Sequence, residues 1–292
     1  MEHLQDLLEL RQYAALIAAL NSKAYTPEEL RLLGLAYLRN DQATKAELPL
    51  LQAHLQGDPE ASVEYGNCLR FVGRYEEACA HFAEVHPTAA GELGLRCLRW
   101  WGVAEVQMGE TETGLTRLER SWHGYLALGN PELTARVTNS LAQMHMRLGH
   151  YARAQQLFQE ALRQLPEYPV PQPRLTALHG LLDLQIQVGD YVGAEESLRL
   201  VGCALRYSDS VRDRSMAFIV RSELQRLTGK LDGYVETLEE IAQCATRLED
   251  FELSVWVTAK LAENYSLLGR FSRPPAKVRF GRGGGCRVRQ SG

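Results

Sequence analysis

A single repeated pattern constrains this chain more than anything else in it. A glycine is followed two residues on by a large aromatic or apolar residue and five residues on by alanine. It reads Gly73-Arg74-Tyr75 with Ala78, Gly149-His150-Tyr151 with Ala154, and Gly189-Asp190-Tyr191 with Ala194. Looser copies are Gly109 with Gly114, Gly229-Lys230-Leu231 and Gly269-Arg270-Phe271, while Asp41, with Ala46 behind it, takes the glycine's place in the earliest full copy. The anchors fall at 41, 73, 109, 149, 189, 229 and 269, spaced by 32, 36 and then 40 four times, which marks a repeat architecture.

Each part of the unit has a physical reason. Glycine just past a helix end enters the left-handed region without a Cβ penalty and lets the chain reverse. Alanine allows two helices to cross closely. Behind Gly149, Ala154, Leu157, Phe158, Ala161, Leu162 and Leu165 form an apolar stripe of helical period. Each unit is therefore a helix hairpin. Helix starts are written as a cap followed by proline in Thr26-Pro27-Glu28-Glu29, Asp58-Pro59-Glu60 and Asn130-Pro131-Glu132. The fold class expected is all-α, a right-handed superhelical solenoid of antiparallel helix hairpins, with residues 1–272 as the repeat domain of about seven repeats.

These residues resemble the tetratricopeptide repeat family, in a long-repeat variant of about 40 residues. The copy around Gly149 carries the family's small and aromatic positions as Ala142, Tyr151, Ala154, Phe158, Ala161 and Pro166; the first copy carries Gly34, Tyr37, Ala46, Leu50 and Ala53. Gly114 and Tyr234 depart from the family's second-helix alanine, and His145 from its first-helix aromatic. The longer units look like those of helical sensor and adaptor regions of large bacterial regulators.

In this family the first helices line a concave groove. Carried over by register, the inward positions are Asn67, Arg70 and Phe71, then Arg96, Arg99 and Gln107, then Arg136, Asn139, Gln143, Met146 and Arg147, then His179, Asp183 and Gln187. Later units turn acidic and apolar, with Met216, Ile219, Glu223, Trp256 and Glu263. Asn67, Arg70, Arg96, Arg99, Arg136, Asn139, Gln143, Arg147 and His179 form the expected partner-binding groove. Arginine's planar fork matches carboxylate, so the expected partner is a protein or peptide, acidic in character. Asn67 and Arg99 fall where chaperone-binding members carry a carboxylate clamp; the other clamp positions do not match. Trp101 sits at a core position of its unit, its neighbour Trp100 is undetermined, and Trp256 faces the groove.

Searching for chemistry gives no phosphate loop, no dinucleotide fingerprint, no zinc-protease helix and no nucleophile elbow. His81 and His86, like His145 and His150, are five residues apart, which on an unbroken helix points their rings away from one another. The cysteines have no metal-type spacing and read as small buried hydrophobes. No catalytic residue, metal or cofactor is assigned, and the expected function is a non-enzymatic interaction scaffold; the alternative is a ligand- or peptide-sensing regulator.

Charge narrows the partners. Net charge is −4, yet residues 273–292 hold six bases and no acid, leaving −10 for residues 1–272. An acidic body repels nucleic-acid phosphates. With no apolar run of membrane length and acids rather than bases near the amino terminus, a cytoplasmic location and no membrane contact are expected. Pro166 to Pro173 reads as a stiff connector inside the array. After Phe271, prolines and Gly281 to Gly285 forbid the mate of the last helix, so 273–292 is expected to be a disordered basic tail, and the unmated helix to expose an apolar face able to pair with a second copy.

Overall fold

The computed structural model describes residues 2–9, 12–20, 25–40, 42–166, 172–205, 211–248 and 251–267. Among them are fifteen helices and no strand. The chain divides into two compact units, Met1–Val188 and Gly189–Gly292.

In the first unit, two short helices, α1 (Glu2–Glu9) and α2 (Tyr13–Leu20), precede the repeats and bury Leu7, Leu8, Leu16 and Leu20 against α3 (Pro27–Arg39). Hairpins then follow: α3 with α4 (Ala43–Leu55), α5 (Pro59–Phe71) with α6 (Tyr75–Val85), α7 (Gly91–Met108) with α8 (Thr111–Leu128), and α9 (Pro131–Arg147) with α10 (Tyr151–Gln164). Helix α11 (Gln172–Gln187) packs on both α9 and α10. The second unit holds α12 (Tyr191–Leu205), α13 (Val211–Leu227), α14 (Leu231–Leu248) and α15 (Phe251–Leu267), each packed on the next.

The repeat signals act as their chemistry requires. Gly73, Gly109, Gly149, Gly189 and Gly229 all have positive φ, from 72° to 105°, at the turns between helices. Asp41 and Gly269 lie outside the described residues. Thr26 makes a full capping box with Glu29, Asp58 accepts from the Ala61 amide at 2.9 Å, and Asn130 accepts from the Leu133 amide at 3.0 Å. Each pairing satisfies an amide that the helix start leaves without a partner.

Hairpins close where one helix has no side chain. The rings and methyls of Leu50, Phe82 and Phe158 occupy the space a Cβ would need at Gly34, Gly66 and Gly180. The α7–α8 pair goes further. A Cβ on Gly102 would lie 2.5 Å from the Gly114 carbonyl, and one on Gly114 would lie 2.6 Å from the Gly102 carbonyl. Gly114, a departure from the family's alanine, is thus a closer helix crossing than alanine permits. Tyr234, the other departure, is buried in the α13–α15 core with Val235, Leu238, Ile241 and Val257.

Of the proline connector, Pro166 and Pro173 are described, and residues 167–171 lie outside. Arg174 closes its far end by donating to the Leu162 and Leu165 carbonyls at 2.7 and 2.9 Å, which the end of α10 leaves open. On α15, Val255 and Trp256 are 51% and 38% exposed. The basic tail lies outside the described residues. No helix among those described is long and apolar enough to cross a membrane.

Adding one methyl at Gly114 or Gly102 forces backbone apart rather than a flexible side chain. Gly114→Ala and Gly102→Ala are each expected to lower stability by about 1–3 kcal/mol despite alanine's better helix propensity, read by urea denaturation.

Candidate functional site

Four odd-numbered helices of the first unit turn one face toward a common cavity of about 480 Å³. Helix α5 contributes Arg70 and Phe71; α7 contributes Arg99, Trp100, Val103 and Gln107; α9 contributes Arg136, Asn139, Ser140, Gln143, Met144 and Arg147; and the start of α11 contributes Gln172, Pro173 and Thr176, with Tyr75 of α6 beside them. The opposite faces of α5, α7 and α9 are committed to the core through Val63, Cys97, Ala104, Ala135 and Leu141, so the polar face is what remains for the cavity.

Arg70 is 8% exposed and rigidly aimed. Its Nε and one terminal nitrogen donate to Asn67 Oδ1 at 3.1 and 2.8 Å, and the other terminal nitrogen donates to Gln107 Oε1 at 3.2 Å. Asn67 is itself held by donating to Glu64 at 3.3 Å, and Glu64 accepts from Arg96 at 3.5 Å. Two guanidinium groups lie over the Trp100 rings, Arg99 at 3.7 Å and Arg70 at 5.0 Å from ring centroids, and Arg70 also lies 4.2 Å from Phe71. Arg136 reaches back to Glu132 at 2.7 Å.

Positive charge is in excess here. Among the described residues four arginines line the cavity and no carboxylate does; Glu64, in the layer behind, acts on both Arg70 and Arg99. Burial, together with mutual repulsion among Arg70, Arg99, Arg136 and Arg147, lowers the Arg70 and Arg99 guanidinium groups to about 10, so both stay charged at neutral pH. Several buried polar atoms of the lining also lack a partner among the described residues: the donors Arg99 Nε, Trp100 Nε1 and Arg136 Nε, and the acceptors Asn139 Oδ1 and Gln172 Oε1. Asn139, 3% exposed, uses its Nδ2 to donate to the Pro173 carbonyl at 2.7 Å. Buried polar atoms without partners are costly, and a ligand with both acceptors and donors would satisfy this set.

Of the nine residues expected in the groove, Arg70, Arg99, Arg136, Asn139, Gln143 and Arg147 meet at this cavity. Asn67 and Arg96 stand behind it, the first as the support of Arg70 and the second paired with Glu64. His179 is half-buried on α11, outside the lining. The central aromatic, Trp100, was undetermined from sequence, although it lies seven residues before the inward Gln107 and so on the same helical face. Trp101 packs away from the cavity, under the Arg117 guanidinium at 3.5 Å, which is in turn held by Glu105 at 2.8 Å. The start of α11 escaped the register argument because the connector before it obscures where that helix begins.

Other clusters resolve differently. His145 and His150 are brought together, with Nδ1 atoms 3.3 Å apart, because α9 ends at Arg147 and the Gly149 turn folds His150 back; the expectation of divergent rings held only for an unbroken helix. His54 Nδ1 lies 2.8 Å from Ser62 Oγ, but that hydroxyl donates to the Asp58 carbonyl at 3.0 Å, so the histidine is the donor and the pair pins α4 to α5. No group of three metal-ligating side chains occurs among the described residues. Burial pushes the Cys68 and Cys97 thiols up to about 12, far from the thiolate form that reacts.

Comparison with known proteins agrees with this architecture. The tetratricopeptide repeat family matches residues 135–168, the α9–α10 hairpin. ALBINO3-like protein 3, mitochondrial, of Arabidopsis thaliana is 32% identical over 107 residues, covering 32% of this chain and 19% of that protein, so the match takes in under a fifth of the relative's length. Among solved structures, the apo quorum sensor NprR from B. thuringiensis has a TM-score of 0.60 at 16% identity, covering 92% of this chain and 82% of that one. A Rap protein complexed with Competence and Sporulation Factor has a TM-score of 0.62 at 15% identity, covering 91% and 83%. At such identities the likeness is one of fold: an all-α, tetratricopeptide-like solenoid of helix hairpins.

Arg99 and Arg117 separate two kinds of buried charge. Arg99→Met removes a repelled cation with no acid beside it and is expected to leave stability unchanged or raise it by about 1 kcal/mol. Arg117→Met strands Glu105, which is 7% exposed, and is expected to cost about 1–3 kcal/mol. Thermal denaturation of the two variants distinguishes them.

Proposed function

Taking the tetratricopeptide-like solenoid as the premise, we propose that the chain is a non-enzymatic interaction scaffold whose arginine-lined cavity takes an extended, acidic segment of a protein or peptide. The observation that carries this reading is the mixed set of partnerless atoms around four arginines. Carboxylates and backbone carbonyls would accept from Arg99, Trp100 and Arg136, and backbone amides would donate to Asn139 Oδ1 and Gln172 Oε1. A simple inorganic anion would satisfy only the donors. The Trp100 ring and the guanidinium groups over it form a rigid cationic surface against which a segment can lie at little entropic cost. No carboxylate stands among the described lining residues, which supports the acidic character of the partner.

The alternative, a peptide-sensing regulator, is favoured by the fold likeness to NprR and to the Rap protein with its bound factor. Under that reading the same cavity is the sensor and its occupancy is the signal.

The test uses a fluorescein-labelled octapeptide of alternating glutamate and alanine with a free carboxyl terminus, titrated into the full chain. Replacing both Arg99 and Arg136 by glutamate is expected to weaken binding at least about a hundredfold, and raising the salt to weaken wild-type binding progressively. Asn139→Asp, which keeps an acceptor but adds a charge, is expected to weaken it about tenfold. Unaltered binding in the double variant would sink the proposal.

A further inference from the structure

A second cavity, of about 590 Å³, lies in the second unit between α12 and α13, and the repeat register explains why it is there. Thirteen residues after each anchor the chain has His54, His86, Trp122, Leu162, Gly202 and Ala242. At the earlier junctions that position fills the gap to the next helix. His54 contacts Ser62 of α5, the His86 ring lies 6.0 Å from that of Trp101 of α7 at a 60° tilt, and Trp122 Nε1 donates to Thr138 of α9 at 3.1 Å. Leu162 joins the core of α9–α11. At the α12–α13 junction the position is Gly202, and a Cβ there would meet no atom within 4 Å. The filler is missing and the space it would occupy is open.

From this we propose that the α12–α13 cavity binds an amphipathic anion, an alkyl or aryl carboxylate whose apolar body replaces the absent side chain. The walls are apolar: Leu198 and Leu205 on one side, Ala217 and Phe218 on the other. The volume falls within the roughly 300–1,000 Å³ of small-molecule sites. Among the described residues the charged part of the lining is Arg199, Arg214, Arg221, Lys230 and Glu195, with Arg199 tied to Glu196 just outside it at 2.6 Å. Of these, Arg221 faces Glu240 at 3.7 Å, a loose and exposed ion pair that a bound carboxylate can displace at little cost. Lys230, held by Glu195, closes the other end. An apolar interior with the loosely paired Arg221 at its edge selects an anion with a greasy body over the corresponding alcohol or cation. This site lies in the second unit and is independent of the arginine cavity of the first.

Decanoate, decanol and decyltrimethylammonium, each below its micellar concentration, are titrated calorimetrically into the full chain. Saturable decanoate binding is expected, with the cation at least about tenfold weaker. Gly202→Trp restores the filler and is expected to weaken decanoate at least about tenfold while helical circular dichroism and the thermal unfolding profile stay at wild-type values, showing an intact fold; Gly202→Ala leaves most of the volume open and is expected to stay within about twofold. Arg221→Glu keeps the walls and is expected to reverse the preference toward the cation. No saturable decanoate binding, equal binding by Gly202→Trp, or a cation that binds as tightly as the anion would each overturn the proposal.

Discussion

Everything in this molecule depends on how closely paired helices approach at the points where one of them has no side chain. Gly66 receives the Phe82 ring, whose nearest atom lies 2.5 Å from where a Cβ would be, and Gly102 and Gly114 bring α7 and α8 carbonyl to backbone. Interiors are packed too tightly for such a contact to be approximate, so each hairpin has one seating. With one face of α5, α7 and α9 fixed in that way, the remaining faces have no freedom to drift, and polar groups as far apart in the chain as Arg70 and Arg147 are delivered to one cavity. Precision at the site is inherited from glycine and alanine positions that never touch a ligand.

The arginine cavity shows the opposite economy from the core. Arg117 is matched to Glu105, and Arg31 to Asp58 at 3.0 Å. Beside Trp100, Arg70 is oriented instead by neutral amides: Asn67 and Gln107 hold it without cancelling its charge. An amide is the right support for that purpose, because a carboxylate in its place would lock the arginine and remove the field that a partner could use. Charge is left unmatched at Arg70, while the burial of Phe82, Leu118 and Phe158 keeps the frame packed.

Much of the frame could be read from the residues because its rules are local. A glycine that must turn left, a proline behind a cap and an alanine at a crossing act within a few residues of themselves, so the anchors, the caps at Thr26, Asp58 and Asn130, and the hairpins all followed from sequence. The cavity was legible only where register carried it: Arg70, Arg99, Arg136 and Asn139 sit on regular helices. Trp100 was harder, since two adjacent tryptophans point about 100° apart and only packing decides which faces the core. The His145–His150 contact depended on where α9 stops, and helix ends are the least determined feature of a pattern. The gap at Gly202 required comparing the same position across repeats, because a missing side chain leaves no signal of its own.

The two-sided use of Asn139 has a mechanical consequence. Its nitrogen is tied to the Pro173 carbonyl in the first turn of α11, while its oxygen faces the cavity. Whatever draws on that oxygen would polarise and orient the same planar amide that tethers α11 to α9. A group bound there would bear on a neighbouring helix through that single rigid plane.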